Sequence, residues 1–540
     1  MALQREISNA ISYATSKGYQ MHPDAFAMLK GLDNDVVKIV QDIIKRKIKQ
    51  NENSLIKVDD IKNHINPEQD KVAVSDFENI GKIDDTKINT LSTTTAAAVV
   101  EYSSSSSSSS EQNSHKIILD PTHNINTGEG VEGYTALFRS RFEKSHRILA
   151  LRPESKRIIQ IASVRHNTNN SKAGKSSYSS RTEGNFVRNP SSVIAGLLMS
   201  KRSKKNGIEL VIDDYSGTMS ALAVTEELKK LAMTLTLDQM VMLEIEDNNN
   251  NNNSKSTQGF TIKNLASPDI PDHLPNRSKA EYYAVLISDL HVGSKYFMET
   301  EFMRFLTWLS SSEDELVRKI RFLCIGGDLI DGIGIFPNQD KELLELNTSK
   351  QMVHAIDLLA KIPKHIKVFI IPGNHDPGRR SLPQPSLPRK DADKLYSFEN
   401  FTMLGNPAFL ELNGVKVLMY HGQSLDDIIA TTPGLSYSKP AEAMKVLLKT
   451  RHLSPIYGQR TPIAPEQEDM MVIAEVPDVF HSGHVHVIDV KNYRGTLIVN
   501  SGTWQTQTKF QQTMGIVPTP GFAILINLAT LQPFQMDFNH

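Results

Sequence analysis

The sequence is poor in the features of disulfide-stabilised and membrane-spanning proteins. Its 540 residues include a single cysteine, Cys324, which excludes a disulfide within the chain and favours a reducing compartment. No stretch approaches the ~18 consecutive apolar residues of a transmembrane helix, and the N-terminal residues lack the apolar centre of a signal peptide. We therefore expect a soluble, cytoplasmic protein without a membrane partner.

Net charge is also nearly absent. The chain has 60 Lys and Arg against 61 Asp and Glu, so its overall charge indicates neither a nucleic-acid nor a membrane partner. Residues 136–210 are an exception, with 16 basic and 4 acidic side chains. Such a basic stretch can contact phosphate backbones or form a solvated, partly disordered linker, and its spacing does not distinguish the two.

Low-complexity segments divide the chain and predict a multidomain protein. Residues 90–114 include eight consecutive serines, residues 167–180 are rich in Ser and Asn, and residues 248–253 are all asparagine. Before the first of these segments, apolar residues recur at helical spacing in Pro23 to Lys49. We predict a small N-terminal helical bundle, a flexible Ser-rich linker, a β-barrel domain with a disordered basic insertion, and an α/β domain, at 1–70, 71–135, 136–275 and 280–540.

The third predicted domain has the pattern of a small barrel. Five short apolar or alternating stretches lie between Ser191 and Asp272, and a helical stretch from Thr225 to Leu235 precedes the fourth. Five strands with a helix before the fourth fit a Greek-key barrel of the oligonucleotide-binding (OB) type. The alternative is a small antiparallel barrel used only for contacts between domains.

From Tyr282 onward, strands and helices alternate as in a layered α/β domain. Six apolar strand candidates are YYAVLIS, IRFLCIG, KVFIIPG, VKVLMYHG, DVFHSG and GTLIVNSG. Helical stretches follow the first two, at about Glu299 to Ile320 and Lys341 to Lys361.

Polar side chains follow five of these strands, where ligand sites of α/β sheets lie. The candidate metal ligands are Asp289, His291, Asp328, Asn374, His421, His484 and His486. Carboxylate and imidazole ligands suit Mn, Fe or Zn better than Mg or Ca alone, and the absence of cysteine argues against a structural zinc site. Two metals about 3.5–4 Å apart can bind a phosphoryl group and activate a water for in-line displacement.

The motif set D-x-H, G-D, G-N-H-D, H and G-H-x-H resembles that of the calcineurin-like metallophosphoesterase superfamily. The resemblance implies that one metal takes Asp289, His291, Asp328 and His486. The second metal would take Asp328 as a bridge together with Asn374, His421 and His484. It also implies that His375 is the catalytic residue that protonates the leaving oxygen, a role suited to a histidine.

Longer segments narrow the resemblance to the small subunits of archaeal family D DNA polymerases. These segments are DLHVGS, GDLIDG, IPGNHDPGR, FHSGHVH and Ser501 to Ala523. The resemblance covers about Ile161 to His540, and the N-terminal part only by its layout. It implies a 3′→5′ proofreading exonuclease with two divalent ions, with Mn²⁺ as the expected metal, associated with the nucleoid. A large catalytic polymerase subunit, DNA and a sliding clamp are the implied partners.

Other roles stay open at this level. Arg379 and Arg380 follow the GNHD turn and either contact DNA phosphates or belong to a solvated loop. Trp504 either stacks on a base or packs in the interior.

Alternative functions are a stand-alone DNA repair nuclease of the same superfamily, a non-catalytic polymerase scaffold and a phosphoprotein phosphatase. The complete set of ligand positions argues against the scaffold.

Overall fold

The computed structural model describes residues 114–164, 191–247 and 259–540, and before them only residues 13, 20–21, 29, 36–50, 55–56 and 61. The chain divides into two compact units, Met1–Ser103 and Ser104–His540. In the part of the chain described, no helix is long and apolar enough to cross a membrane.

Of the first unit, the structure describes the helix Val36–Gln50 and two strands of two residues, β1 (Gln20–Met21) and β2 (Leu55–Ile56), which pair in parallel. Val36, Val40 and Ile43 are buried along the helix, as the helical spacing of its apolar residues predicts. The strand pair was not expected from the purely helical pattern. The rest of the predicted bundle, and residues 71–113 of the predicted linker, lie outside the described residues.

The prediction of a linker up to residue 135 is wrong at its C-terminal end. His115–Leu119 forms strand β3, which pairs antiparallel with a strand of the α/β domain and places Ile117 opposite Leu410. A helix at Gly130–Leu149 also begins before residue 135. The run HKIIL is too short to stand out beside the polyserine tract, and its strand exists because a partner edge from distant sequence supplies its hydrogen bonds.

The helix Gly130–Leu149 joins the barrel to the α/β domain, and we call it the bridging helix. Its buried residues recur every fourth position and form one face, at Gly133, Leu137, Arg141, Ser145 and Leu149. Leu149 packs against Val193 and Met240 of the barrel. Arg141 Nε lies 2.8 Å from Asp469 Oδ2, and Arg141 donates from Nη1 to the carbonyl of Pro455 at 2.6 Å. The first part of the predicted disordered basic insertion is therefore an ordered contact between domains.

Replacing Arg141 by methionine is expected to lower the free energy of unfolding by about 3–5 kcal/mol, because the fully buried Asp469 loses its main counter-charge. The shift of the urea midpoint measures this effect. Arg147→Met is the matched control on the same helix, because Arg147 pairs with Glu143 at the surface. It should cost less than about 1 kcal/mol. Equal midpoint shifts in the two variants would contradict the role of the buried pair.

The barrel confirms the predicted five strands and one helix. Its strands are β4 (Ser191–Lys204), β5 (Gly207–Asp213), β6 (Thr218–Ala223), β7 (Met240–Asp247) and β8 (Phe260–Ala266). They close in the order β4-β5-β6-β8-β7, with β7 pairing back to β4. The helix Glu226–Thr234 lies between the third and fourth strands, and the Thr225 hydroxyl caps it by accepting from the amide of Leu228. Residues 165–190 and 248–258 lie outside the described residues.

The α/β domain is built on two sheets of six strands each. Its strands after β3 are β9 Tyr283–Ile287, β10 Ile320–Ile325, β11 Lys367–Ile370, β12 Phe401–Met403, β13 Ala408–Leu412, β14 Val415–Met419, β15 Val479–Ser482, β16 Ile488–Tyr493, β17 Thr496–Ser501, β18 Phe522–Asn527 and β19 Pro533–Asp537. In the first sheet, four parallel strands, β12-β11-β10-β9, continue into antiparallel β18 and β19. The second sheet has the order β16-β17-β15-β14-β13-β3. All six predicted strands are confirmed, and they divide equally between the sheets.

The two sheets pack face to face and carry helices on their outer faces. Successive residues of β9 face opposite layers. Leu286 faces the second sheet, whereas Val285 and Ile287 pack against helices. The helices of the domain are Glu299–Leu309, Glu315–Arg318, Thr348–Leu359, Arg389–Tyr396, Leu425–Thr431, Pro440–Thr450 and Lys509–Thr513. The predicted α/β sandwich is confirmed. Its parallel strands end together at one edge, where the polar motifs lie.

Candidate metal centre

All seven predicted ligands converge at the carboxyl ends of β9, β10 and β11 in one sheet and of β14 and β15 in the other. Three overlapping groups have ligand atoms within 4.8 Å of one another: Asp289, His291 and His486; His291, Asp328 and His375; and Asp289, Asp328 and His421. Because these groups share members, they form one continuous cluster.

The first part of the cluster joins Asp289, His291 and His486. The Nε2 atoms of the two histidines face each other at 3.0 Å, and His486 Nε2 lies 3.3 Å from Asp289 Oδ1. Asp289 Oδ2 accepts from the amide of His484 at 2.9 Å. Asp289 Oδ1, in contrast, is buried and has no hydrogen-bond donor. Three ligand atoms thus point at one another with an oxygen left unsatisfied.

The second part joins Asp328, Asn374, His421 and His484. His421 Nε2 lies 3.3 Å from Asp328 Oδ2 and 3.0 Å from Asn374 Oδ1. His484 Nδ1 lies 2.9 Å from the same amide oxygen. Asp328 Oδ2 is also 3.8 Å from His291 Nε2, so its carboxylate lies between the two parts of the cluster. That is the position expected of a bridging ligand.

Five ligand residues adopt the left-handed backbone conformation that residues other than glycine seldom adopt. Their φ angles are +56° at Asp289, +54° at His291, +53° at Asp328, +66° at His484 and +65° at His486. Such a conformation costs of the order of 1–3 kcal/mol per residue when it is enforced, and it concentrates at functional sites. The motif residues are therefore held for their side-chain directions rather than for local stability.

Two motif glycines let the strand ends approach closely. A Cβ on Gly327, whose φ is +102°, would lie 2.7 Å from the amide nitrogen of Gly373 and 2.8 Å from Nδ1 of His421. A Cβ on Gly373 would collide with the carboxylate of Asp328. Any larger residue would separate the ligands, so both glycines belong to the geometry of the centre.

The charges of the cluster fit a cation. Among the described residues, the ion pairs of Asp289 and Asp328 are all with histidines, and no Lys or Arg neutralises them. Burial opposes the charged form of His421, but Asp328 outweighs it and raises the pKa of His421 to about 9. Burial also opposes ionisation of Asp289, yet His291 and His486 hold the pKa of Asp289 well below its usual value. The buried carboxylates and histidines therefore draw protons to balance their charges, and divalent cations would balance the same charges. The donor set fits metal ions.

His375 is grouped with His291 and Asp328 but makes none of the shortest contacts between the ligand side chains. Its ring is perpendicular to that of His291, with centroids 4.6 Å apart, and its Nδ1 lies 2.7 Å from the carbonyl oxygen of Asp331. A neutral Nδ1–H donates to that oxygen, which leaves Nε2 as the nitrogen free to exchange a proton. Burial lowers the pKa of His375.

Several supporting residues had no role predicted from the sequence. Asp331 Oδ1 lies 2.9 Å from Nδ1 of His291 and accepts from Gln505 at 3.0 Å. Gln511 Nε2 lies 2.7 Å from Nδ1 of His486, and Asp426 Oδ2 lies 3.2 Å from Nε2 of His484. Such partners fix the ring orientation and tautomer of metal-binding histidines. Only the position of Asp331, three residues after Asp328, gave a signal in the sequence.

The two arginines after the GNHD turn, Arg379 and Arg380, have different surroundings in the structure. Arg379 Nη1 lies 2.7 Å from Glu466 Oε1 and donates to Thr127 at 3.1 Å, and its Nη2 donates to the carbonyl of Pro383. These internal contacts argue against the predicted DNA contact by Arg379. Arg380 is exposed and stays a prediction.

Trp504 is buried and has no surface to offer a nucleobase. It packs against Phe302, Phe305 and Phe538. Interior packing, the alternative to base stacking, is therefore its role.

A family model and a solved structure each match part of this chain. The family model that describes the B subunit of DNA polymerases alpha and epsilon matches residues 284–486. A solved structure titled as a novel archaeal phosphodiesterase covers 47% of this chain and 98% of its own at 12% identity, with a TM-score of 0.25, an overlap too low to bear on function.

Curated relatives are more similar. The DNA polymerase II small subunit of Archaeoglobus fulgidus is 35% identical over 423 residues, which are 77% of this chain and 78% of the relative. That of Methanothermobacter thermautotrophicus is 34% identical over 78% of this chain and 83% of its own length. That of Pyrococcus furiosus is 37% identical over 77% of this chain, which spans 66% of that relative's length. The chain belongs to the family of archaeal DNA polymerase II small subunits.

Proposed function

We propose that this chain is a metal-dependent phosphodiesterase that removes nucleotides from the 3′ end of DNA, as the exonuclease subunit of a two-subunit polymerase. The observation that carries the proposal is the buried cluster in which Asp328 lies between two sets of ligand atoms, His291 on one side and His421 on the other. Two divalent ions, for which we propose Mn²⁺, suit this mixture of carboxylate, amide and imidazole ligands.

The ligands divide between two ion positions around Asp328. Asp289, His291 and His486 would hold one ion, and Asn374, His421 and His484 the other, with Asp328 shared. When bound, the ions supply Lewis-acid polarisation of the phosphate and a lowered pKa of the attacking water. The unsatisfied Oδ1 of Asp289 would gain a partner on ion binding.

His375 would act on the leaving group. Displacement at phosphorus breaks the bond to the 3′ oxygen of the preceding nucleotide, and that oxygen needs a proton to leave readily. Because Nδ1 of His375 donates to the Asp331 carbonyl, Nε2 would deliver the proton, and it holds one only in the doubly protonated imidazolium. Burial opposes that form of His375, whereas the charges of Asp328 and Asp331 favour it. The contact with the Asp331 carbonyl keeps the ring from turning away.

The family and the barrel favour DNA as substrate over a phosphoprotein. The relatives are named as DNA polymerase subunits, and the closed five-stranded barrel has the strand pattern of single-strand-binding OB domains. We propose a large catalytic polymerase subunit as the stable partner and a sliding clamp as a further contact. The chain spans 63–66% of the length of three Pyrococcus relatives, which have additional sequence outside this match.

The test is digestion of a 5′-labelled single strand and of a duplex with a mismatched 3′ end, with Mn²⁺ or with a chelator. We expect stepwise shortening from the 3′ end that requires Mn²⁺ and stops when the ion is removed. A phosphopeptide serves as the competing substrate for the phosphatase alternative. Absence of DNA cleavage, even with a co-purified large subunit, would favour a non-catalytic scaffold.

A further inference from the structure

Two phenylalanines form a stacked pair at the rim of the metal centre. The rings of Phe336 and Phe510 are 5.1 Å apart and inclined by only 26°, and the ring of Phe336 lies 6.4 Å from that of His375. Phe510 is 45% exposed although it is a large apolar side chain. Aromatic surface thus reaches solvent next to the residue that we place on the leaving group.

Both rings are carried by segments that also hold the centre in place. Three residues after Phe336, Gln339 donates to the carbonyl and to the carboxylate of Asp331 at 2.8 and 3.0 Å. Directly after Phe510, Gln511 contacts His486. The helix Lys509–Thr513 is fixed at its start by a capping box between Thr508 and Gln511. The position of the pair relative to the ligands is therefore rigidly set.

We infer that the Phe336–Phe510 pair is a stacking platform for the base of the 3′-terminal nucleotide, an inference that rests on the proposed function. A base stacked on Phe510 brings the adjoining phosphodiester toward His375 and the metal ligands. Stacking engages the π-face that every base has, so the platform would accept any of the four bases, as removal of misincorporated nucleotides requires. Lys509, exposed beside Phe510, adds positive charge for the strand's phosphates.

A simple packing contact between the two segments would explain the stacking but not the exposure of Phe510. An aromatic pair serving only stability gains by being covered, since burial of apolar surface is its main contribution. Three further apolar side chains on the same two segments are exposed, Ile333, Met514 and Val517. An exposed apolar rim beside a site for a charged substrate fits a ligand with both an aromatic and an anionic part. A nucleotide has both parts.

The test uses the full chain and a tetranucleotide with 2-aminopurine as its 3′-terminal base. Its last linkage is a methylphosphonate, so that the strand resists hydrolysis and binding is read without turnover. Stacking of an aromatic ring on the base quenches 2-aminopurine fluorescence. With Mn²⁺ present, we expect quenching by the wild type and by Phe510→Trp. Phe510→Leu keeps an apolar side chain against Phe336 but should lose the quenching and weaken binding about fivefold or more.

Leu274→Ser is the matched control, because Leu274 is 96% exposed elsewhere on the surface and should leave quenching and affinity unchanged. Equal quenching by the wild type and Phe510→Leu, or binding of the strand without quenching, would overturn the platform. So would failure of the wild type to bind the strand. A wild type that degrades DNA but does not quench refutes the platform alone, whereas one that quenches but never degrades DNA refutes the proposed function alone.

Discussion

His375→Ala is expected to slow hydrolysis of DNA by about a hundred- to ten-thousandfold while metal binding persists, the range typical for loss of a general acid. The structure gives the reason for this separation. His375 Nδ1 is held by the carbonyl of Asp331, and the shortest contacts among the ligands, such as that between His291 and His486, do not involve it. Its removal therefore leaves the seven ligands in place but takes the proton donor from the leaving oxygen.

Two substrates reveal whether His375 acts on the leaving group. DNA releases a basic alkoxide that needs a proton, whereas bis-p-nitrophenyl phosphate releases a phenolate that leaves readily without one. The His375→Ala defect in kcat should be large on DNA and small on the p-nitrophenyl ester. His354→Ala is the control, since His354 is an exposed histidine paired with Glu299. An equal loss on both substrates would show that His375 does not supply this proton.

Asp328→Ala should have the larger effect, because we expect it to abolish metal binding at both ion positions and with it all measurable hydrolysis. Oδ2 of Asp328 approaches His421 and His291, one in each set of ligands, and Oδ1 accepts from the amide of His375 at 2.8 Å. No other carboxylate in the cluster, as far as the described residues show, combines these contacts. Without it, each ion loses an anionic ligand, and the charge that holds two cations close together falls.

Calorimetric titration with Mn²⁺ measures this effect. The wild type should bind two ions per chain and Asp328→Ala none, with circular dichroism confirming that the variant is folded. Asp331→Asn is the matched control, because Asp331 orients His291 without being a proposed ligand. It should retain both ions with about 10- to 100-fold weaker affinity. If Asp328→Ala bound either ion normally, its carboxylate would not be the bridge.

The convergence of the candidate ligands was predictable because strand ends bring distant motifs together. Asp289 and His484 are 195 residues apart in sequence, yet the carboxylate of one accepts from the amide of the other. The apolar runs before each motif indicated strands, and parallel strands in an α/β domain end at a common edge. The division of these strands between two sheets was not predictable, since a short apolar run has the same pattern in either sheet.

The supporting contacts were not predictable from local patterns. Glutamine is usually a surface residue. The contacts of Gln505 with Asp331 and of Gln511 with His486 form only because the chain after β17 returns to the centre. Arg379 is a similar case. Its position beside Arg380 after the GNHD turn suggests a solvent-exposed loop, but its guanidinium forms a salt bridge with Glu466. Each of these contacts joins segments far apart in the chain.

The sequence by itself determined the order of the barrel and the α/β domain, the five strands of the barrel, the α/β sandwich and the choice of candidate ligands, because apolar periodicity and motif spacing are local properties. Only the tertiary structure decided the burial of Trp504, the salt bridge of Arg141 and the stacking of Phe336 on Phe510. These features depend on which segments meet in space. The free energy of a charge or an aromatic ring depends more on whether it is buried than on the residues next to it in sequence.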